Sequence, residues 1–276
     1  PGTAVDREIF SLSAKVFTES DHFISGKGTS SKPFTIHRLK DSSSHLTGEL
    51  PTDIVITDDP EGVFQESPPS PVDFAVILKN LRRMGRDSVA IGMPLSWADP
   101  DVLSLTALDQ QLDAIPSVIT SAPLSRSPVP TPIPPAFRRA SVSLFSIAGD
   151  TSLLPRVDRI SIPDVVLGND TSLAGFTTLE SEETTGLPYL LARWEDRAVL
   201  SFHLLAALQR SDVTPHAITV RLGEWISLGV DGPFIPIDEF GRLTIKPPKP
   251  AVKDIPAETL IDAPEDWLPD TADHPV

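Results

Sequence analysis

Three acidic side chains follow the first strongly β-favouring run of the chain. Residues 53–57 are rich in β-branched side chains, and Asp58, Asp59 and Glu61 come directly after them. Open α/β sheets bind ligands at the carboxyl ends of their strands, and grouped carboxylates there could hold Mg²⁺ or Ca²⁺ or transfer protons. The alternative is a solvated turn, which the residues favour because Asp, Pro and Gly are common turn formers.

Trp97, Asp99 and His203 are the other candidate ligand-binding side chains. Trp97 and Asp99 follow the second β-favouring run, residues 88–93, and would offer a stacking surface and an acceptor to a polar ligand such as a sugar. A Trp packed on a neighbouring loop is the more common arrangement. His203 could titrate near neutral pH as a base or sensor, but within the apolar run 199–208 a histidine at the rim of the core is more common.

Common catalytic motifs are missing from the sequence. It contains no Gly-x-Ser-x-Gly elbow, no His-Glu-x-x-His pair and no glycine-rich phosphate loop, and its six histidines are scattered from His22 to His274. With 0 Cys, the chain cannot form disulfides, thiolate metal sites or a Cys nucleophile. We therefore predict no catalytic residue, no metal ligand and no cofactor.

The charge of the chain excludes one large class of partner. Its 276 residues carry 23 basic and 38 acidic side chains, a net charge of −15. Such a surface repels nucleic-acid phosphates and anionic lipid headgroups, so we exclude nucleic acid as a partner. No run approaches the about 18 to 20 apolar residues that span a bilayer.

The first half of the chain predicts an α/β layer. A strand at residues 53–57, a helix at 70–85 and a strand at 88–93 form a strand-helix-strand series, which implies parallel pairing through a right-handed crossover. A helix at 102–112 and a strand at 116–120 continue this order. Residues 121–135 contain six Pro, which predicts an extended surface loop.

The second half predicts a buried helix and a meander. Residues 187–194 read as a buried strand, and residues 199–208 as a helix that is apolar around most of its circumference. Short β-favouring runs separated by Gly turns follow at 218–222, 224–228, 234–237 and 242–245, and a helix is expected at 255–260. The predicted fold is mixed α/β: a βαβ-type sheet layer flanked by helices, with an antiparallel meander in the C-terminal half.

The order of elements in residues 186–245 resembles the C-terminal half of the CHASE domain of type two. This sensory module lies outside the membrane in bacterial cyclases, histidine kinases and Ser/Thr kinases. The matching residues are Gly186, residues 187–191 of the "PLL" strand, 195–197 of the charged turn, 200–204 of the helix, Leu222 and Gly223, and 235–238 with 241–243 of the last hairpin. The chain departs from the family at Thr184 and Thr185, which replace a basic pair, and in residues 90–95, which lack the family's Asp.

The resemblance implies an organisation and a function. Residues 1–50 would be an N-terminal helix and loop segment, 51–246 the CHASE-like α/β sensory domain, and 247–276 a truncated C-terminal extension. The chain would be the non-catalytic, extracytoplasmic sensory or ligand-binding domain of a membrane-anchored receptor, which responds to a small-molecule or protein signal; a homodimer stays open. Two alternatives remain: a metal-assisted hydrolase that uses the acidic residues after the first strand, and a protein-interaction scaffold that recruits partners through residues 121–135.

Overall fold

The computed structural model of the protein describes residues 53–55, 63–64, 69–179, 187–230, 232–245 and 254–261. These residues form strands β1 (Asp53–Val55), β2 (Ser88–Ala90), β3 (Ser117–Ser125), β4 (Ser141–Ser143), β5 (Ile147–Ala148), β6 (Arg159–Ile160), β7 (Leu173–Leu179), β8 (Leu191–Trp194), β9 (Arg197–Leu200), β10 (Thr219–Arg221), β11 (Trp225–Ser227), β12 (Phe234–Pro236) and β13 (Asp254–Pro256). They also form helices α1 (Pro71–Arg83), α2 (Val102–Asp113), α3 (Pro135–Arg139), α4 (Phe202–Arg210) and α5 (Glu258–Ile261). The predicted N-terminal helix and loop segment, residues 1–50, lies outside the described residues.

The central layer is a sheet built around β3. Strand β3 pairs in parallel with β2 on one edge and with β7 on the other, and β6 adds an antiparallel pair at the end of β3. Helix α2 connects β2 to β3, so these three elements form a βαβ unit. The parallel and antiparallel pairs, with helices packed against them, confirm the predicted mixed α/β fold.

The predicted pairing of the first two strands is wrong. Strand β1 pairs in parallel with β13, whereas β2 pairs with β3, so β1 and β2 belong to different sheets. Helix α1 follows β1 and precedes β2 in the chain. It packs on α2 through one face and on α5 through another. The helix expected at residues 255–260 is also partly wrong, because β13 occupies residues 254–256 and α5 begins only at Glu258.

The Pro-rich run is also partly a strand. Residues 121–125, expected in a surface loop, form the second half of β3, and Ala122 and Leu124 are completely buried. The strand accommodates Pro123 because its register with β7 shifts between Ala122 and Leu124, where no ladder hydrogen bond is needed from the proline nitrogen. Only the following segment, which runs to α3, leaves the sheet.

Helix α4 begins three residues later than predicted but is packed as predicted. Val199 and Leu200, expected in the helix, lie in β9, and the helix begins at Phe202 because the Ser201 hydroxyl caps it, accepting the Leu204 N–H at 3.2 Å. Most of its side chains are buried: Phe202, Leu204, Leu205, Ala207 and Leu208. The helix packs against β3 and β7, so it covers one face of the central sheet.

Two smaller sheets complete the fold. Strands β4, β9 and β8 form an antiparallel sheet whose β8–β9 hairpin turns at Glu195 and Asp196, with Glu195 in the left-handed region at φ 53°. Strands β10, β11 and β12 form the predicted antiparallel meander, to which β5 adds a parallel edge. The expected last strand at residues 242–245 is reduced to isolated bridges through Arg242 and Leu243.

Candidate functional site

A cleft of about 390 Å³ lies beyond the carboxyl end of β3. Three chain segments line it: the Pro-rich segment after β3, the segment before β6, and the end of β8. Its lining residues are Pro130, Thr131, Pro132, Arg156, Val157, Asp158, Arg193, Trp194 and Glu195. The carboxyl end of a central parallel strand is where open α/β sheets bind their ligands.

Hydrogen bonds hold the Pro-rich wall of this cleft in one position. The indole Nε1 of Trp194 donates to the Thr131 carbonyl at 3.1 Å, and the Thr131 N–H donates to the Asp158 carbonyl at 2.9 Å. The Asp158 carboxylate accepts the Ser127 N–H at 2.5 Å. Trp194 is itself completely buried against Phe137, with ring centroids 5.8 Å apart. Because its wall is tied to buried groups, the cleft is formed without a ligand.

Glu195 ties the same wall from the turn of the β8–β9 hairpin. One carboxylate oxygen accepts the Ile133 N–H at 3.3 Å, and the other pairs with the Arg138 guanidinium at 3.2 Å. Both side chains are about half exposed, at 42% and 51%, so this ion pair adds little to stability. Its effect is to orient Glu195 toward the segment that leads into α3.

Arg156 and Arg193 place two positive charges on the cleft. The two residues form a parallel β-bridge, flanked by hydrogen bonds from the Arg193 N–H to the Pro155 carbonyl at 2.8 Å and from the Val157 N–H to the Arg193 carbonyl at 2.9 Å. Bridged residues project their side chains from the same face of the two strands. Within the part of the chain that the structure describes, neither guanidinium group pairs with a carboxylate.

None of the predicted site residues that the structure describes, Trp97, Asp99 and His203, lines this cleft. Asp58, Asp59 and Glu61 lie outside the described residues. Trp97 is half-buried, its Nε1 donates to the Pro69 carbonyl at 2.9 Å, and its ring lies edge-on to Phe74 at 5.9 Å. These contacts are those of a tryptophan packed on a neighbouring loop.

Asp99 and His203 occupy separate parts of the fold. Asp99 is exposed in a turn, with φ at 64°, and it is Asp101 that caps α2 by accepting the Ser104 N–H at 2.9 Å. His203 is a half-buried residue in the first turn of α4, and its ring lies edge-on to Phe202 at 5.6 Å. Neither residue lines the cleft.

Two further features, a metal-binding cluster and a membrane-spanning helix, are not found in the described chain segments. Within them, no group of three or more His, Asp or Glu side chains comes close enough to hold a metal ion. None of their helices combines the length and the apolar character needed to cross a bilayer.

Sequence reasoning missed the cleft because its residues come from distant segments. The one local signal is the run Arg193, Trp194 and Glu195, where an apolar strand ends in a cation, an amphipathic ring and an anion. No protein-family model matches the chain, and comparisons with curated proteins and with solved structures find no match either.

Proposed function

We propose that this chain is the ligand-binding, sensory domain of a bacterial membrane-anchored signalling receptor, that it lies outside the cytoplasmic membrane, and that it has no catalytic activity of its own. The observation that carries the proposal is the cleft beyond the carboxyl end of β3, about 390 Å³ in volume. Pockets for small ligands have volumes of about 300 to 1,000 Å³ and are mostly formed before the ligand binds. The volume of the cleft lies within this range.

The groups in the cleft favour binding over chemistry. Its two carboxylates, on Asp158 and Glu195, already accept hydrogen bonds from backbone N–H groups of the Pro-rich wall. In this proposal both carboxylates act by shaping the wall. The cleft therefore suits recognition of a ligand.

The placement outside the membrane rests on the resemblance of residues 186–245 to the CHASE domain of type two. The elements of that resemblance are the hairpin of β8 and β9, helix α4 and the meander of β10 to β12. The cleft draws Arg193, Trp194 and Glu195 from the same hairpin. In this proposal the signal is thus received by the part of the chain that carries the family resemblance.

A thermal-shift screen tests the proposal. A ligand that binds only the folded chain raises its melting temperature, by an amount that grows with ligand concentration. The screen should cover sugars, amino acids, organic acids and divalent cations, and hits should be repeated with the variant Thr131→Trp, which fills the cleft from an exposed position. We expect at least one hit that this variant abolishes. Absence of any hit, or hits that the filled cleft leaves unchanged, would contradict ligand binding at this site.

A further inference from the structure

The side chains of Arg156 and Arg193 form a pair of like charges. They occupy bridged positions of neighbouring extended segments, and like charges at such positions destabilise the fold. The chain has 38 acidic side chains against 23 basic ones, so a carboxylate partner for a guanidinium group should be easy to find. The described residues nevertheless provide none for either of these two arginines.

The two carboxylates that line the cleft are already engaged. Asp158 is buried and accepts the Ser127 N–H, while Glu195 accepts the Ile133 N–H and pairs with Arg138. The charged groups of the cleft that remain for a ligand to bind are therefore the guanidinium groups of Arg156 and Arg193. Guanidinium groups bind carboxylates through two parallel N–H···O bonds, which makes them suited to this anion.

The exposed apolar surface of the cleft comes from Pro130 and Pro132. Val157 and Trp194 also line it but are buried, and Thr131 lies between the two prolines. An inorganic anion would leave the two prolines in water, and a dianion such as phosphate would also meet the negative charges of Asp158 and Glu195. A monoanion with an apolar body matches both the charges and the walls.

We propose that the cleft binds a small organic carboxylate with an apolar body, whose carboxylate lies between Arg156 and Arg193. This inference rests on the proposed function, because it names the ligand class of the same site. The bound anion removes the repulsion between the two arginines, and its apolar body covers Pro130 and Pro132.

Calorimetric titration with benzoate tests the inference, with benzamide as the neutral ligand of the same shape and inorganic phosphate as the small dianion. We expect benzoate to bind and benzamide and phosphate to bind at least tenfold more weakly. Arg193→Gln and Arg156→Gln should each weaken benzoate binding by about tenfold or more, the usual effect of losing hydrogen bonds to a charged group. Arg82→Gln, on the exposed face of α1, removes the same charge far from the cleft and should leave the affinity unchanged.

An NMR readout keeps the test valid if a variant folds poorly. The indole N–H of Trp194 donates into the cleft wall, so benzoate should shift this signal among those of the four tryptophans of the unmodified chain. Trp194→Phe identifies the signal. Equal binding of benzoate and benzamide, tighter binding of phosphate, or a benzoate affinity that Arg82→Gln lowers as much as Arg193→Gln would each overturn the inference.

The failure of this inference can be told apart from failure of the proposed function. A ligand of another class that the variant Thr131→Trp excludes, but that still binds the two arginine variants, overturns the carboxylate assignment and leaves the receptor proposal standing. If no class of ligand raises the melting temperature, or if Thr131→Trp leaves every hit unchanged, both are overturned.

Discussion

Gly175→Ala tests the close contact between strand β7 of the central sheet and the start of helix α4. Gly175 lies in β7 under the start of α4, and a Cβ added there would be 2.6 Å from both the backbone N and the Cα of Phe202. Carbon atoms pack at about 3.5 to 4.0 Å, so the helix and the strand must move apart by about 1 Å. Because the obstructing atoms belong to the backbone, a change of side-chain rotamer cannot relieve the contact.

The expected loss of stability follows from two opposing terms. Overpacking a well-packed site costs about 1 to 3 kcal/mol, and contact with backbone puts Gly175→Ala near the upper value. Alanine regains about 0.5 to 1 kcal/mol, since it loses less backbone freedom than glycine when a strand forms. The net loss is about 2 kcal/mol, which lowers the melting temperature of a folded unit of this size by about 4 to 8 °C.

Urea unfolding followed by tryptophan fluorescence measures the loss, and Gly85→Ala is the matched control. Gly85 has φ at 75°, and no atom lies within 4 Å of an added Cβ. The expected loss of stability in Gly85→Ala is therefore only the backbone strain of an alanine in the left-handed region, about 1 kcal/mol. A variant Gly175→Ala that is as stable as the unmodified chain, or more stable than Gly85→Ala, would refute the close seating of α4 on β7.

Two further variants test local features of the helices. Ser201→Ala should lower the free energy of unfolding by about 1 kcal/mol, because it removes the acceptor for the Leu204 N–H; urea unfolding measures this, and an equal loss in Ser211→Ala, at the exposed end of the same helix, would contradict the cap. Asp109→Asn should stabilise the chain at neutral pH by a few tenths of a kcal/mol, as for a like-charge pair one helical turn apart, since burial and then the charge of Asp113 raise the pKa of Asp109. A raised pKa means that ionisation opposes folding, so the gain is full above the folded pKa and vanishes below the ordinary value of 3.8. Melting temperatures between about pH 3 and pH 7 check this, and a gain that persists at pH 3 would contradict it.

Helix boundaries were predictable where their signals are local. Helix α1 begins after Ser70, whose N–H donates to Asp73 at 2.9 Å while its hydroxyl accepts the Asp73 N–H at 3.3 Å. It ends before Gly85, in the left-handed region. Both signals lie within a few residues of the boundary they set. The start of α4 was misjudged because Val199 and Leu200 fit a helical period as well as a strand, and only the pairing of β9 with β8 decides between them.

Strand partners were less predictable, because they depend on distant segments. The order strand, helix, strand in residues 53–93 favours direct parallel pairing. In the structure α1 packs between α2 and α5, and β13 takes the edge of β1 instead. Residues 254–256 carry no pattern that identifies this partner, since two of the three, Asp254 and Pro256, are poor strand formers.

The candidate site differs from the predicted one for the same reason. The prediction for Trp97 rests on its position after a strand, where an aromatic ring can contact a ligand, but its indole N–H donates to the Pro69 carbonyl. Arg156 and Arg193 come from segments that look unrelated in the sequence, and only their β-bridge brings them together. A pair of cations of this kind becomes recognisable as a site when the fold shows that nearby carboxylates are already engaged.

The location of the cleft determines how a ligand there would act. One wall continues from β3 and β6 in the central sheet, whereas Arg193, Trp194 and Glu195 belong to the separate sheet of β4, β8 and β9. Arg156 lies in the segment that leads into β6 and forms a bridge with Arg193 of β8, so a carboxylate held by both arginines would reinforce this existing link between the two sheets. Such a ligand stabilises the folded chain by about 2.7 kcal/mol at a concentration one hundred times its Kd. The stabilisation depends on both sheets being in place, so it measures their docking as well as the binding itself.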